Sequence, residues 1–274
     1  MYDIAVVGGG PAGLSAAVQA RARGKSVVVI GGDARDNALY KTRRIDNYLG
    51  FFGATGPELL ERFEAHAREM GVERRNGRVL NILPMGMEFY LAVGSEVEQA
   101  RAVVLATGVV QAGKLPGEAE HLGAGVSYCA TCDGMLYRGK RVAVIGLSAD
   151  APEEAEYLSS IGCEVEYFDA KRAKRYEIKG GERVEALVAD GVEYPAECVF
   201  LLRSGLAPDS LLPGLELENG HIKVGPDMST NIPGVFAAGD CTGAPYQVAK
   251  AAGEGNIAAL SASKYIENKR QEEK

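Results

Sequence analysis

The chain has 274 residues, 46% of them apolar, and a net charge of -7, so it can bury a core in one large or two modest domains but offers no electrostatic case for nucleic acid or an anionic membrane. No charged-then-apolar leader is visible and no run nears the roughly eighteen apolar residues of a membrane span, which points to a cytoplasmic protein. The five cysteines, Cys129, Cys132, Cys163, Cys198 and Cys241, include one close pair, which excludes both a secreted disulfide framework and a zinc site with two C-x-x-C knuckles.

Asp3 to Val7 is expected to form a short buried strand, Leu14 to Arg23 an Ala-rich helix closed by Gly24, and Ser26 to Ile30 a second strand. Together they make a βαβ unit. A second amphipathic helix opens at Pro57, places Leu59, Leu60, Phe63, Ala67 and Met70 on one side, leaves His66 off that face and stops at Gly71. Strand-like segments at Arg78 to Ile82, Glu88 to Val93 and Glu96 to Gln99, followed by the apolar run Ala102 to Ala106, suggest a small β-meander inserted in a dinucleotide-binding domain. Arg141 to Ile145 begins another βαβ unit, with a helix from Pro152 to Ile161 and a strand from Glu164 to Phe168. Asp190-Gly191 and Asn219-Gly220 each turn a hairpin. Val235 to Asp240 reads as a strand leading into a small-residue helix from about Tyr246 to Glu267, where Gly253 and Gly255 imply close packing. The charged residues 268–274 are expected to fray.

The fold class is α/β, with two Rossmann-like domains of the dinucleotide-binding type. The first is discontinuous, 1–111 and 228–274, and 112–227 is inserted in it. Its opening turn, Gly8-Gly9-Gly10-Pro11-Ala12-Gly13, fits G-x-G-x-x-G: Gly8 permits the bend, Gly10 lets backbone amides approach a pyrophosphate, and Gly13 lets helix and strand pack closely. Asp33 lies near the usual ribose-binding acid position, with Gly31-Gly32 before it. The matching second turn reads Gly146-Leu147-Ser148-Ala149-Asp150-Ala151, with Ser148 where phosphate must approach and Asp150, Glu153 and Glu154 crowding the helix start. Two like charges ~4 Å apart at an effective dielectric of ~20 repel by roughly 4 kcal/mol, more than a helix dipole of about 0.3 to 1 kcal/mol returns. A dinucleotide is expected to bind there badly, although Asp169 at the end of the next strand would suit an NAD ribose and a divergent turn making unusual contacts stays open. Between the turns, Cys129-Ala130-Thr131-Cys132-Asp133 can close a small disulfide and reopen it by accepting electrons from a flavin. Half a metal site is the bland alternative, while Cys163, Cys198 and Cys241 read as buried small apolar residues.

Gly8 to Gly13, Asn47-Tyr48-Leu49-Gly50-Phe51, Ala106-Thr107-Gly108, Cys129 to Gly134 and Thr230-Asn231 with Gly234 to Asp240 together resemble the bacterial thioredoxin reductases, nearly end to end. The resemblance implies FAD in the first domain, Asp240 (after Gly239) on the ribityl chain, and Gln247 and Val248 at a helix start directed at the isoalloxazine ring. It also implies that Cys132 lies against the flavin and attacks the substrate disulfide, that Cys129 resolves the mixed disulfide, and that Asp133 acts as acid/base. Where that family has Arg-Gln, this chain has Tyr246-Gln247. The basic run Lys171-Arg172-x-Lys174-Arg175 lies where the family binds a 2′-phosphate, but its spacing is altered.

The shortened inserted domain, the altered second turn, Tyr48 to Phe51 and Asp240-Cys241-Thr242-Gly243-x-Pro245-Tyr246-Gln247 are similar to the ferredoxin-dependent flavin thioredoxin reductases, which do not use pyridine nucleotides. This implies electron flow from reduced ferredoxin through FAD and the dithiol to thioredoxin, in a homodimer. An acidic ferredoxin needs a local positive patch, for which Lys41-Thr42-Arg43-Arg44 and Lys171 to Arg175 are candidates. Two rivals stay open: an NADPH-dependent reductase with a divergent site, and a non-catalytic flavin redox sensor.

Overall fold

The computed structural model describes residues 1–109, 115–169, 171–203 and 207–272. The chain folds as two units, 1–110 with 205–274 and 111–204. In the first unit, β1 (Tyr2–Val7), α1 (Pro11–Ala22) and β2 (Val27–Gly31) form the expected βαβ motif, and Ile4 to Val7 pair in parallel with Val27 to Ile30. Helix α2 (Gly56–Glu69) begins at a capping box: Thr55 accepts the Glu58 N–H while the Glu58 carboxylate accepts the Thr55 N–H. Reciprocal caps of this kind contribute about 1 kcal/mol and fix where a helix starts. Strand β3 (Glu73–Asn76) then joins the edge of β2.

The meander consists of β4 (Val79–Met85), β5 (Glu88–Val93) and β6 (Glu96–Leu105). The expected segments Glu96 to Gln99 and Ala102 to Ala106 are one strand. Ala100 pairs both with Phe89 of β5 and with Tyr2 of β1, so a half-exposed antiparallel end continues into a buried parallel one.

The second unit holds β7 (Val126–Ser127), the short helix α3 (Ala130–Asp133), β8 (Arg141–Leu147), α4 (Ala151–Ser160) and β9 (Glu164–Phe168). It continues through β10 (Tyr176–Gly180), β11 (Val184–Ala189), β12 (Val192–Pro195) and β13 (Cys198–Arg203). A parallel sheet ordered β7-β13-β8-β9 has one face against the antiparallel sheet β10-β11-β12, through Ile145, Phe168, Leu187 and Leu201. Its other face packs Val142, Val144 and Phe200 against Ala151, Ala155 and Leu158 of α4. Three layers therefore carry α3 and α4 on the same side. The Asp190-Gly191 hairpin forms as expected, with both residues at positive φ, 48° and 85°.

The return segment contains α5 (Pro208–Leu211), β14 (Leu217–Glu218), β15 (His221–Ile222), β16 (Val235–Ala237) and α6 (Val248–Glu272). The chain is back in the first unit before the expected 228, because Leu211, Leu212, Leu215 and Ile222 bury themselves with Ile82, Leu91 and Leu105 in that unit's core. The outgoing boundary expected near 111 lies outside the described residues. The first sheet runs β3-β2-β1-β6-β5-β4, and β16 adds to β6. On its other face α1 meets α6 along alanines, and a Cβ on Gly255 would lie 2.1 Å from the Ala12 carbonyl, whereas Gly253 faces open space. The charged end does not unwind at 268: α6 persists to Glu272, with Arg270 bonded to Asp3 and Lys269 to Glu272. Residues 273–274 lie outside the described residues. Among the described residues, no helix is long and apolar enough to cross a membrane.

Candidate functional site

In the first unit the β1–α1 turn is assembled from backbone packed on backbone. Gly8 has φ 115°, and a Cβ there would meet the Ala106 carbonyl oxygen at 2.1 Å; a Cβ on Gly13 would meet the Gly8 carbonyl oxygen at 1.9 Å. The predicted Ala106-Thr107-Gly108 segment therefore lies directly beside the predicted glycine turn, at the C-terminal end of β6. Helix α1 starts at Gly10 and Pro11 with no side-chain cap, and Ala12 and Gly13 are buried in its first turn. Uncapped N-terminal amides carry partial positive charge and hydrogen-bond donors, which is what a pyrophosphate requires. The Arg74 guanidinium lies over the same turn, 2.3 Å from where a Gly9 Cβ would be.

Asp33 is placed otherwise. Its two oxygens accept from the Arg35 side chain and backbone, an arrangement that holds its carboxyl down to about 2. In this conformation the carboxylate caps its own turn.

In the same unit, Asn47 donates to the Gln247 side-chain oxygen at 2.6 Å, which brings two predicted residues together, and Val248 begins α6 beside them. Gly239 and Asp240 follow β16 in a turn held by Lys250. Its ammonium donates to the carbonyls of Gly239 (2.9 Å) and Gly243 (2.7 Å) and to Thr242 Oγ1 (3.0 Å), and pairs with Glu254 at 3.2 Å. The half-buried Asp240 carboxylate has no protein hydrogen-bond donor among the described residues. Burial raises its pKa, the Lys250 charge opposes that rise, and Glu254 adds to it. An unsatisfied carboxylate on one side and an uncapped helix start on another fit FAD, whose ribityl hydroxyls need an acceptor and whose pyrophosphate needs amides. Cys241, next to Asp240, is wholly buried, donates to the carbonyls of Leu105 and Ala238, and is pushed up to about 11 by burial.

In the second unit Cys129 and Cys132 form a disulfide, with Cα atoms 5.4 Å apart. Cys129 is the N-cap of α3, and its sulfur accepts the Cys132 N–H at 3.1 Å. Cys129 is buried and Cys132 is partly exposed, so the second sulfur is the more accessible one. Asp133 accepts a 2.7 Å bond from the Ser127 hydroxyl, and that hydroxyl oxygen accepts the Cys129 N–H at 3.1 Å. Ser127 thus joins the predicted acid/base to the predicted resolving cysteine. Cys163 and Cys198 are buried, and burial raises both thiols.

The altered β8–α4 turn has a different surface from its counterpart. The Tyr167 hydroxyl from β9 sits 2.2 Å from where a Cβ on Gly146 would be, so a phenol overlies the first glycine. Glu154 on the first turn of α4 accepts the Ala130 N–H at 3.1 Å, which ties it to the disulfide helix. Asp169, the predicted ribose acid, accepts the Lys171 N–H at 2.8 Å. In the basic run, Arg172 pairs with Glu166 and stacks on Phe168, and the backbone amides of Lys174 and Arg175 bond to Asp190. In the other run Arg44 pairs with Asp46, while Lys41 and Arg43 are exposed.

Sequence reasoning missed Arg74, Lys250 and Ser127. Lys250 and Glu254 did carry a signal, an opposite-charge pair four residues apart on a helix of small residues. Arg74 reaches its place only through the parallel pairing of β3 with β2, in which it lies opposite Val29.

A Rossmann-type unit with a glycine turn and an uncapped helix start, and a second such unit carrying a redox disulfide, define a flavoprotein disulfide oxidoreductase. The family model for pyridine nucleotide-disulphide oxidoreductases matches residues 2–174 and 170–255. A thioredoxin reductase from Listeria innocua is 31% identical, with 97% of this chain and 94% of that protein covered. Among solved structures, a ferredoxin-flavin thioredoxin reductase from Clostridium acetobutylicum superposes with a TM-score of 0.94 at 41% identity, covering 98% of this chain and 99% of that one. A thioredoxin reductase from Gloeobacter violaceus gives 0.86 at 31% identity, covering 98% and 95%. The chain belongs to the thioredoxin reductase family, and its cofactor is FAD.

Proposed function

We propose that this thioredoxin reductase takes its electrons singly from reduced ferredoxin and passes them in pairs to the Cys129–Cys132 disulfide and then to thioredoxin. The observation that carries the choice of donor is the β8–α4 turn, where the Tyr167 hydroxyl covers Gly146 and carboxylates crowd the helix start that a dinucleotide's phosphates would need. The 41% identity to a ferredoxin-flavin thioredoxin reductase over nearly the whole chain supports the same reading. FAD, when bound, supplies a centre that accepts electrons one at a time and releases two.

The chain's own residues have the following roles in this reading. Amides of Gly10, Ala12 and Gly13, on a turn shaped by Gly8 and opened by Pro11, frame the pyrophosphate, Asp240 accepts from the ribityl chain, and Ala106-Thr107-Gly108, Asn47, Gln247 and Val248 line the remaining cofactor contacts. Asp33 contributes on the ribose side only if Arg35 releases it. Cys132, the more exposed sulfur, attacks the thioredoxin disulfide; Cys129 then displaces reduced thioredoxin from the mixed disulfide, and Asp133, held by the Ser127 hydroxyl, supplies the proton that the departing thiolate takes up. Exposed Lys41 and Arg43 attract the acidic donor. The working form is a cytoplasmic homodimer, which sedimentation checks.

Anaerobic spectra of the holoenzyme test the donor. Bleaching of the flavin band by reduced ferredoxin, with no bleaching by NADPH or NADH, is expected. Bleaching by NADPH would transfer the assignment to the pyridine-nucleotide rival, and reduction without sustained loss of thioredoxin disulfide would make the protein a sensor.

A further inference from the structure

The acidic residues at the start of α4 have no role in the scheme above beyond discouraging phosphate. One of them points elsewhere. Glu154 accepts the Ala130 N–H at 3.1 Å, and Ala130 is the first residue of α3, the helix that Cys129 caps. We propose that Glu154 is a positioning residue for the redox disulfide: its carboxylate occupies the first amide of the cysteine-bearing helix, offsets the positive end that faces Cys129, and so keeps the dithiol a strong reductant.

The chemistry runs through the reduced state. Two electrons and one proton open the Cys129–Cys132 bond and leave one thiol and one thiolate. A thiolate on Cys129 is favoured by the N–H donors that open the same short turn, of which the Cys132 N–H is already aimed at its sulfur, at 3.1 Å. A low-energy Cys129 thiolate would stabilise the dithiol and make the disulfide easier to reduce, which suits an oxidant and not a reductase. Glu154 counters this because it consumes one of those donors and brings a negative charge to the same end. The other carboxylate of the cluster, Asp133, is bound to Ser127, which itself holds the Cys129 N–H. Thr131 Oγ1 lies 3.4 Å from the Cys129 sulfur and is neutral. Glu154 is therefore the charged group that a neighbouring element contributes to the backbone of this turn. A Cys129 thiolate of higher energy is also the better nucleophile for displacing thioredoxin from Cys132, so equilibrium and resolution are pushed in the same direction. The inference rests on the disulfide chemistry of the family and is independent of which donor reduces the flavin.

Glu154→Gln keeps an acceptor for the Ala130 N–H and removes the charge, whereas Glu154→Ala removes both. The holoenzymes are equilibrated with dithiothreitol redox buffers, and the Cys129–Cys132 couple is read by alkylation and mass. Both variants are expected to shift toward the dithiol by about tenfold, equivalent to about 30 mV more oxidising for a two-electron couple. In a Cys132→Ser background, iodoacetamide should alkylate Cys129 severalfold faster at neutral pH when Glu154 is Gln, as a larger thiolate fraction requires. An equilibrium in Glu154→Gln within about twofold of the parent, or displaced toward the disulfide, overturns the assignment. So does a Gln variant that matches the parent while Ala alone departs, since the carboxylate would then be only a structural acceptor.

Discussion

After β1 the chain passes through Gly8 to Gly13 into a helix that no side chain caps, while after β8 the matching turn is overlaid by the Tyr167 hydroxyl and its helix sends Glu154 to the Ala130 amide. Both turns join a buried parallel strand to a helix on the same layer plan. They differ in where their polar groups are directed. In the first, close backbone packing leaves amides and the Asp240 carboxylate for a ligand; in the second, the Tyr167 side chain of β9 takes up space over Gly146 and Glu154 of α4 turns to a backbone amide elsewhere in the unit. A βαβ scaffold thus fixes the shape of a nucleotide turn without fixing its use, which depends on a few side chains that cost the scaffold little.

The largest effect expected from separating the two regions is on turnover. Cys132→Ser should reduce thioredoxin-disulfide reduction at least about a thousandfold, since the three remaining cysteines are buried, while FAD remains bound at full stoichiometry in the first unit. Cys129→Ser should trap thioredoxin on Cys132, read as a covalent complex that dissociates on reduction. Loss of flavin in either variant would mean that the two regions do not act separately.

Glycine substitutions compare the turns directly. Gly13→Ala places a Cβ 1.9 Å from the Gly8 carbonyl, backbone against backbone, and should cost about 1 to 3 kcal/mol or more and release FAD. Gly146→Ala meets the end of the Tyr167 side chain, which can swing away, so its cost should stay below about 1.5 kcal/mol with FAD retained. Melting temperature and flavin content of the two purified variants decide this. Equal losses would contradict the contrast between a rigid cradle and a turn covered by a side chain.

Asp240→Asn removes the charge, and one of the two acceptor oxygens, of a carboxylate that the protein itself leaves unsatisfied. A hydrogen bond to a charged group contributes about 1.5 to 3 kcal/mol, so FAD affinity should fall by roughly ten- to a hundredfold, measured by fluorescence of released flavin. Burial raises the Asp240 carboxyl above its ordinary value, so the unfolded chain loses that proton first. Its contribution to apoprotein stability is therefore full below the unfolded value and is lost as pH rises through the folded one. FAD affinity should change in the opposite sense over the same window, strengthening as the carboxylate ionises. The smallest effect is expected at the surface: Lys41→Glu with Arg43→Glu should slow reduction by ferredoxin severalfold at low salt, and the difference should shrink as ionic strength rises.

Much of the fold was legible because its signals are local. Strand Glu164–Phe168 lies where alternation placed it, and Asn219-Gly220, like Asp190-Gly191, turns its hairpin at positive φ (51° and 79°). The parts that were not legible depend on partners distant in sequence. Glu96 to Leu105 is one strand only because Ala100 pairs on both sides, and Leu211 to Ile222 carries no composition change to show that the first unit's core buries it. The same distinction holds at the site. The glycines, the cysteine pair and Asp240 were readable as motifs, whereas Ser127 and Lys250 matter through hydrogen bonds that spacing alone does not reveal. Glu154 was read as an obstacle to phosphate, but its hydrogen bond goes to the disulfide helix.

The proposed donor requires that the turn at Gly146 hold no dinucleotide. Calorimetric titration of oxidised holoenzyme with NADP+ and NAD+ tests it without any turnover. No saturable heat is expected up to millimolar nucleotide. A dissociation constant in the micromolar range, abolished when Gly146 is replaced by a bulky residue, would contradict it.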